Sequence, residues 1–224
     1  MFVDITNTDK KYNIIYADPP WAYSSEMAPG KGAKRASAKD YYPTMSIDEI
    51  CALPIPASSN CILFLWVTMP KLFDASRVIE SWGFNYKTCA FVWVKRNKIL
   101  SEERIIKRGG IDDFMGQGRW TRQNAEFCLL ATKGRITRQS AKVRQIVYSP
   151  IRGHSQKPDE VRNLILELCG DLPRIELFAR SAMVGWDCWG DEAPNTNIPA
   201  LIPAAHINTS RQMTLFDIER GVSI

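Results

Sequence analysis

Apolar residues gather in short runs separated by polar breaks marked with glycine or proline. Residues 13–17 read NIIYA and stop at Asp18. Residues 61–67 read CILFLWV without a polar interruption. Residues 86–94 and 126–132 are rich in aromatic and β-branched side chains, and 174–179 closes the series. Apolar runs this short predict strands buried on both faces. A further strand is predicted at 144–148. Three helices are predicted between them. Ser46 can cap a short one with Asp48 and Glu49 in its first turn, ended by Pro54 and Pro56. Pro70 fits the first turn of a second, which runs to Gly83. Pro158 opens a third, whose apolar face is Val161, Leu164, Ile165 and Leu168 and whose stop is Gly170. Strands alternating with helices imply an α/β sheet with mostly parallel strands. Ligands in such sheets sit at the carboxyl ends of strands. Asp18 and Arg180 each lie just past such an end, which places them on one rim.

The remaining segments lack periodicity. Residues 24–39 are rich in Gly, Ala, Ser and Lys and read as a loop. Residues 95–123 are polar and irregular, a pattern that marks function or disorder. Periodicity fades after Glu192. The organisation expected is one domain over 1–192 and a peripheral tail over 193–224.

Composition narrows the class. Of 224 residues, 45% are hydrophobic and 24% charged, as in ordinary globular domains. No apolar run approaches the roughly 20 residues that span a bilayer. The first residues, Met1-Phe2-Val3-Asp4, lack a signal-peptide pattern, so a cytoplasmic protein is expected. Six cysteines show no Cys-x-x-Cys pair and read as free thiols. With His154 and His206 the only histidines, no zinc site is expected. The net charge of +5 permits a polyanionic partner without requiring one.

The chemistry concentrates at Asp18-Pro19-Pro20-Trp21. Asp18 supplies a carboxylate acceptor and the Pro19 carbonyl a second one. Pro20 fixes the turn and brings no competing N–H, and Trp21 offers a flat face. Two acceptors beside a stacking surface suit an exocyclic amine such as adenine N6, whose lone pair must be drawn out of the ring before it meets a methyl donor. Stacking of an extruded base is worth about 1–3 kcal/mol. The same four residues serve equally as a rigid turn, with Asp18 as its cap and Trp21 as packing.

Two further blocks accompany the motif. One is Gly118-Arg119-Trp120-Thr121-Arg122 leading to Glu126 and Leu129-Leu130-Ala131. The other runs from His154-Ser155-Gln156-Lys157-Pro158 through Glu176-Leu177-Phe178-Ala179-Arg180 to Gly185-Trp186, Trp189-Gly190 and Glu192. Together they resemble the catalytic subunits of mRNA N6-adenosine methyltransferases and their phage and bacterial DNA-adenine relatives. The resemblance implies a Rossmann-like class I methyltransferase sheet in permuted motif order, the catalytic strand before the cofactor strand. It also implies S-adenosyl-L-methionine as cofactor. In that reading Asp18 faces the cofactor ammonium and Lys157 binds its carboxylate. Glu176, Phe178 and Arg180 form the ribose region, and Asp191 with Glu192 meets the ribose hydroxyls. Many relatives carry Asn where Asp191 stands; an Asp accepts hydroxyls but cannot donate. Without the resemblance, Glu176 and Arg180 read as a structural ion pair.

Basic residues collect in three groups. Lys31, Lys34, Arg35 and Lys39 lie in the first loop, and Arg119 and Arg122 lie in the second with Lys95. Arg135 and Arg138 follow the fourth strand with no acidic residue between them. Phosphate contact is expected of such groups around a base pocket. DNA is the expected polymer. An RNA substrate, or a non-catalytic nucleic-acid-binding partner subunit, is the alternative. In the tail, Gln212-Met213-Thr214-Leu215-Phe216 resembles the peptide by which replication and repair proteins dock on a sliding clamp, through Gln212, Leu215 and Phe216. A tail helix packing Met213, Leu215 and Phe216 on its own domain is the other reading.

Overall fold

The computed structural model describes residues 1–23, 43–98, 113–116, 120–153 and 156–190. Their order is β1 (Tyr12–Ala17), α1 (Ile47–Cys51), β2 (Ala57–Val67), α2 (Leu72–Ser81), β3 (Asn85–Arg96), β4 (Ala125–Lys133), β5 (Ile146–Pro150), α3 (Glu160–Cys169), β6 (Arg174–Leu177) and β7 (Asp187–Trp189). The strands form one sheet in the order β5-β3-β4-β2-β1-β6-β7. β1 pairs in parallel with β2 and β6, β6 with β7, and β3 with β5. β4 alone runs against its neighbours β2 and β3. This is a mixed α/β sheet of the Rossmann-like kind that the sequence implies.

Both faces of the central strands are covered, which is why their sequences are continuously apolar. Ile15, Ala17, Leu63, Leu65, Leu129, Ile175 and Leu177 pack on one face beneath α1 and α2. Ile14, Tyr16, Ile62, Phe64, Trp66, Phe91, Trp93 and Cys128 pack on the other beneath α3, which contributes Val161 and Ile165. Ser46 caps α1 through a reciprocal pair with Glu49, and the Trp82 indole donates to the Ile50 carbonyl at 2.9 Å, tying α1 to the end of α2. Such a cap contributes about 1 kcal/mol.

Several boundaries differ from the sequence expectation. The strand expected at 144–148 is β5, two residues later. β6 stops at Leu177 because Phe178 takes φ 61°, which no strand accommodates. The second helix opens with a short 3-10 turn, Met69–Lys71, that holds Pro70. On α3 the buried positions are Val161, Ile165 and Cys169, with Leu164 and Leu168 only half-buried. β7 has no counterpart in the expectation. It is held between β6 and the first residues of the chain: Cys188 N–H donates to the Met1 carbonyl at 2.8 Å, and Val3 N–H to the Cys188 carbonyl at 3.0 Å. All six cysteines are free. Among the described residues no helix is long and apolar enough to cross a membrane, and no Cys, His, Asp or Glu cluster suits a metal.

Candidate active site at the sheet rim

Strand parity assembles the site. Successive side chains on a strand alternate faces. Tyr16 packs on the α3 face, so Asp18, two residues on, leaves β1 toward the same face. Cys128 also packs there, and so Glu126 faces it from the start of β4. Ile175 and Leu177 point to the opposite face, which leaves Glu176 between them facing α3. Register supplies the height: Ala17 is level with Leu65 and Leu177, and Trp66 pairs with Cys128. Because β4 is reversed, its beginning lies at the rim where β1, β2 and β6 end. Three carboxylates therefore converge under the N-terminal end of α3, just beyond Lys157.

Cations meet them there. Lys157 Nζ lies 2.7 Å from Asp18 Oδ2 and 3.2 Å from Glu126 Oε2. It also stands 5.6 Å over the Trp66 ring. Lys95 at the end of β3 donates to the other Glu126 oxygen and lies 5.1 Å over Trp93. Arg162 of α3 grips Glu176 with two 2.7 Å hydrogen bonds and stacks on Tyr16. Glu176 is thus ion-paired with Arg162, where the alternative reading without the resemblance paired it with Arg180. Bidentate pairs of this kind fix both partners in plane and angle. Arg162 also holds Asp159, and Arg152 bonds both Asp159 and the Lys157 carbonyl, so the chain carrying Lys157 is braced from two sides.

These contacts set the charges. Burial raises the Asp18 carboxyl above its usual value; Lys157 opposes this and Arg180 adds to the opposition, while Glu126 pushes further upward. Burial alone would also raise Glu126, but Lys157 and Lys95 together overcome it and hold that carboxyl below its ordinary value. Burial would lower Lys157, yet Asp18 and Glu126 outweigh it and keep the ammonium charged. Glu176 is raised by burial in spite of Arg162.

The motif is held from below. The Pro20 carbonyl accepts from Met45 N–H at 2.9 Å, and Ala22 N–H donates to the Met45 carbonyl at 3.0 Å. The Pro19 carbonyl takes the Trp21 N–H at 2.9 Å, which leaves one of its two lone pairs for another donor. Trp21 itself is only 5% exposed, and its indole donates to the Trp66 carbonyl at 3.2 Å. Its ring is part of the core, so the open stacking face expected of it is not what the structure presents.

At the end of β6, Phe178 turns the chain in the left-handed region and meets Trp189 edge-on at 5.4 Å. A Cβ on Gly190 would come within 2.3 Å of the Ala179 carbonyl, so only glycine lets β7 pass this turn. The turn sends Arg180 toward Asp18, close enough to act on its charge. Asp18, Lys157, Glu176, Phe178 and Arg180 are thus gathered on one rim. Asp191 and Glu192, Lys31, Lys34, Arg35, Lys39 and Arg119, and Gln212, Leu215 and Phe216 lie outside the described residues. Arg122 is exposed, three residues before β4 and on the same rim.

Arg135 and Arg138 are not brought there. β4 runs downward, so both emerge at the opposite rim, where Arg135 N–H donates to the Asn60 side chain at the outer part of β2. A hollow of about 470 Å³ lined by Lys10, Lys11, Arg174 and Asp187 opens on that far rim as well. The residues that sequence reasoning missed are Arg162, Arg152 and Asp159, together with the roles of Glu126 and Lys95. A carboxylate inside the apolar run AEFCLLA was the available signal for Glu126.

The chain is 38% identical over 205 residues to the type II methyltransferase M.MunI of Mycoplasma sp, covering 84% of this chain and 81% of that one. It is 31% identical over 181 residues to the N(6)-adenosine-methyltransferase MT-A70-like protein of Drosophila melanogaster and 29% identical over 172 residues to the N(6)-adenosine-methyltransferase catalytic subunit METTL3 of Homo sapiens. It spans 26% of the length of each of those two. With the MT-A70 family matched over residues 12–192, the protein belongs to the MT-A70 family of methyltransferases.

Proposed function

We propose that the protein transfers a methyl group from S-adenosylmethionine to the N6 amine of adenine in DNA, at a base extruded against Asp18 and Pro19. The observation that carries the reading is the Asp18–Lys157 pair at the rim, 2.7 Å apart, beneath a conformationally fixed Pro19-Pro20 turn. The donor set fits the cofactor. Lys157 matches a carboxylate, Asp18 an ammonium, and Glu176, fixed by Arg162, retains lone pairs for ribose hydroxyls. Phe178 and Arg180 line the same edge, and Asp191 and Glu192 come two and three residues after β7 in the sequence. The cofactor supplies an electrophilic methyl on a positively charged sulfur. Asp18 and the free lone pair of the Pro19 carbonyl accept the two N6–H bonds and draw the nitrogen toward tetrahedral geometry. An N6 that received the methyl would have to shed a proton, and Asp18, whose carboxyl burial raises, would stand ready to take it. The work is positioning and electrostatics rather than strong base catalysis.

DNA is favoured because the relative matched along most of both chains is a type II methyltransferase, whereas the adenosine methyltransferases share only a quarter of their length with this chain. Those same relatives make an RNA substrate the second reading. The sheet order, with β1 carrying the catalytic motif and β6 the ribose region, supports the permuted arrangement. Phosphate contacts by the basic loops and clamp docking through Gln212, Leu215 and Phe216 belong to the same proposal. Labelled cofactor with matched DNA and RNA, followed by nucleoside analysis, tests it. Label in N6-methyldeoxyadenosine is the expected result. Label only in the RNA nucleoside moves the substrate to RNA, and none in either returns the chain to a non-catalytic binding role.

A further inference from the structure

We propose that Glu126 is the positioning residue that anchors Lys157 at the rim while Asp18 changes partners. The inference rests on the cofactor reading above. In the structure Lys157 is shared between Asp18 and Glu126. In the reaction Asp18 must turn its oxygens to an ammonium and an amine, and Lys157 must meet a carboxylate. A lysine is a point charge on a flexible four-carbon stem. Held by Asp18 alone, it would either stay and neutralise that carboxylate or leave without a defined place to go. Glu126 gives it one.

The backbone explains why Glu126 can do this. It stands within β4, pairs directly with Trp93 of β3, and is followed at once by Phe127, where pairing with β2 begins. Its side chain is buried, and Lys95 occupies its second oxygen. Both oxygens are therefore fixed by neighbours on different sides. Asp18 and Lys157, in contrast, lie on connections outside the strands, and Asp18 is 29% exposed at its side chain. The cluster sets two carboxylates against two ammonium groups, so Asp18 can be handed to a new cation without leaving Lys157 unpaired.

The test measures discrimination between two probes by calorimetry, S-adenosylhomocysteine and 5′-methylthioadenosine. Both carry the adenosine thioether, and only the first carries the amino-acid end. Glu126→Gln should weaken S-adenosylhomocysteine by about tenfold, the order of one charge-assisted hydrogen bond, and leave 5′-methylthioadenosine within about twofold. Glu126→Asp, which keeps the charge but withdraws it by one methylene, should lose part of the same discrimination and serves if the Gln variant does not fold. The pH profile gives a second readout. The groups facing Asp18 are Lys157 ahead of α3, Glu126 and Cys128 on β4, and Glu176 and Arg180 at the end of β6. Removing the Glu126 charge takes away one influence that raises the Asp18 carboxyl, so the acid limb of kcat/KM should move to lower pH in Glu126→Gln. Equal weakening of both probes, or an unchanged ratio, overturns the anchoring role. A wild-type protein that does not tell the two probes apart overturns the cofactor reading itself, and the anchoring role with it.

Discussion

Replacing Lys157 with methionine tests the electrostatics of the rim without relying on any activity. Methionine keeps an apolar side chain of similar length and removes the ammonium, including its contact over Trp66. Asp18 and Glu126 then face each other without the cation they share. Removing one partner of a buried ion pair costs about 3–5 kcal/mol. Here the loss is smaller, because Asp18 is partly exposed and Glu126 keeps Lys95. About 2–3 kcal/mol is the expected figure, which in a domain of this size lowers Tm by about 5–10 °C. The pH dependence carries the sign. In the wild type Glu126 is held below its ordinary value, so its stabilising contribution is present above that value and is lost as pH falls through the folded one. In Lys157→Met both carboxyls lose the cation that lowered them and titrate at higher pH. Protonation then relieves the repulsion, so the deficit is full at neutral pH and shrinks on acidification. Thermal unfolding of both proteins between about pH 8 and pH 5 follows the two curves as they converge. A constant offset across that range, or no measurable loss at neutral pH, would refute the reasoning.

Asp18→Asn keeps one acceptor oxygen but loses the charge, and should lower methyl transfer to adenine by at least about a hundredfold in a nucleoside assay; full activity would defeat the mechanism. Gly190→Ala drives a Cβ to within 2.3 Å of the Ala179 carbonyl and should cost about 1–3 kcal/mol in denaturant unfolding, with the Phe178 turn displaced. Arg135→Gln with Arg138→Gln should make DNA binding less sensitive to salt, the slope falling by about 0.9 for each phosphate that is no longer neutralised. Because both sit on the far rim, methylation of a short duplex should be unaffected, and a fall in its kcat would contradict their placement.

The strands were legible because an apolar run buried on two faces has no competing explanation, as 13–17 and 61–67 show. Their directions were not. An apolar run reads the same in a parallel or reversed strand, and the direction of β4 follows from the chain that joins it to β3, where the sequence pattern dissolves. β7 was invisible for another reason. Three residues carry no periodicity, and this strand exists only because β6 and the backbone of Met1 to Val3 clamp it. At the site, Asp18, Lys157, Glu176 and Arg180 were legible through motif spacing. Arg162 was not, since an arginine beside Val161 on a helix looks like a solvated face until Glu176 is seen below it. Trp21 was legible as a motif member but not in its role, because burial depends on Trp66 and Met45, which are distant in sequence.

The reversal of β4 also explains how roles divide within the rim. In a parallel sheet, site residues leave the ends of strands on loops, as Asp18 and Arg180 do here. A reversed strand delivers a residue from its beginning, and that residue stays within the ladder, here paired with β3. Glu126 is therefore held by its pairing with Trp93 of β3 and by Lys95 at once, whereas Asp18 and Lys157 are held by their turns. The charge that must stay still sits on the element least able to move, and the charges that must exchange sit on connections. The same reversal carries Arg135 and Arg138 away from Asp18 along β4: Asp18 is level with Trp66 and Cys128, and Arg135 bonds Asn60 six residues further down β2, about 20 Å away. One strand's direction thus concentrates the balanced charges at the rim that carries Asp18 and delivers this basic pair to the other. In the proposed mechanism, contacts made there would steady a long nucleic acid without shaping the pocket for the base.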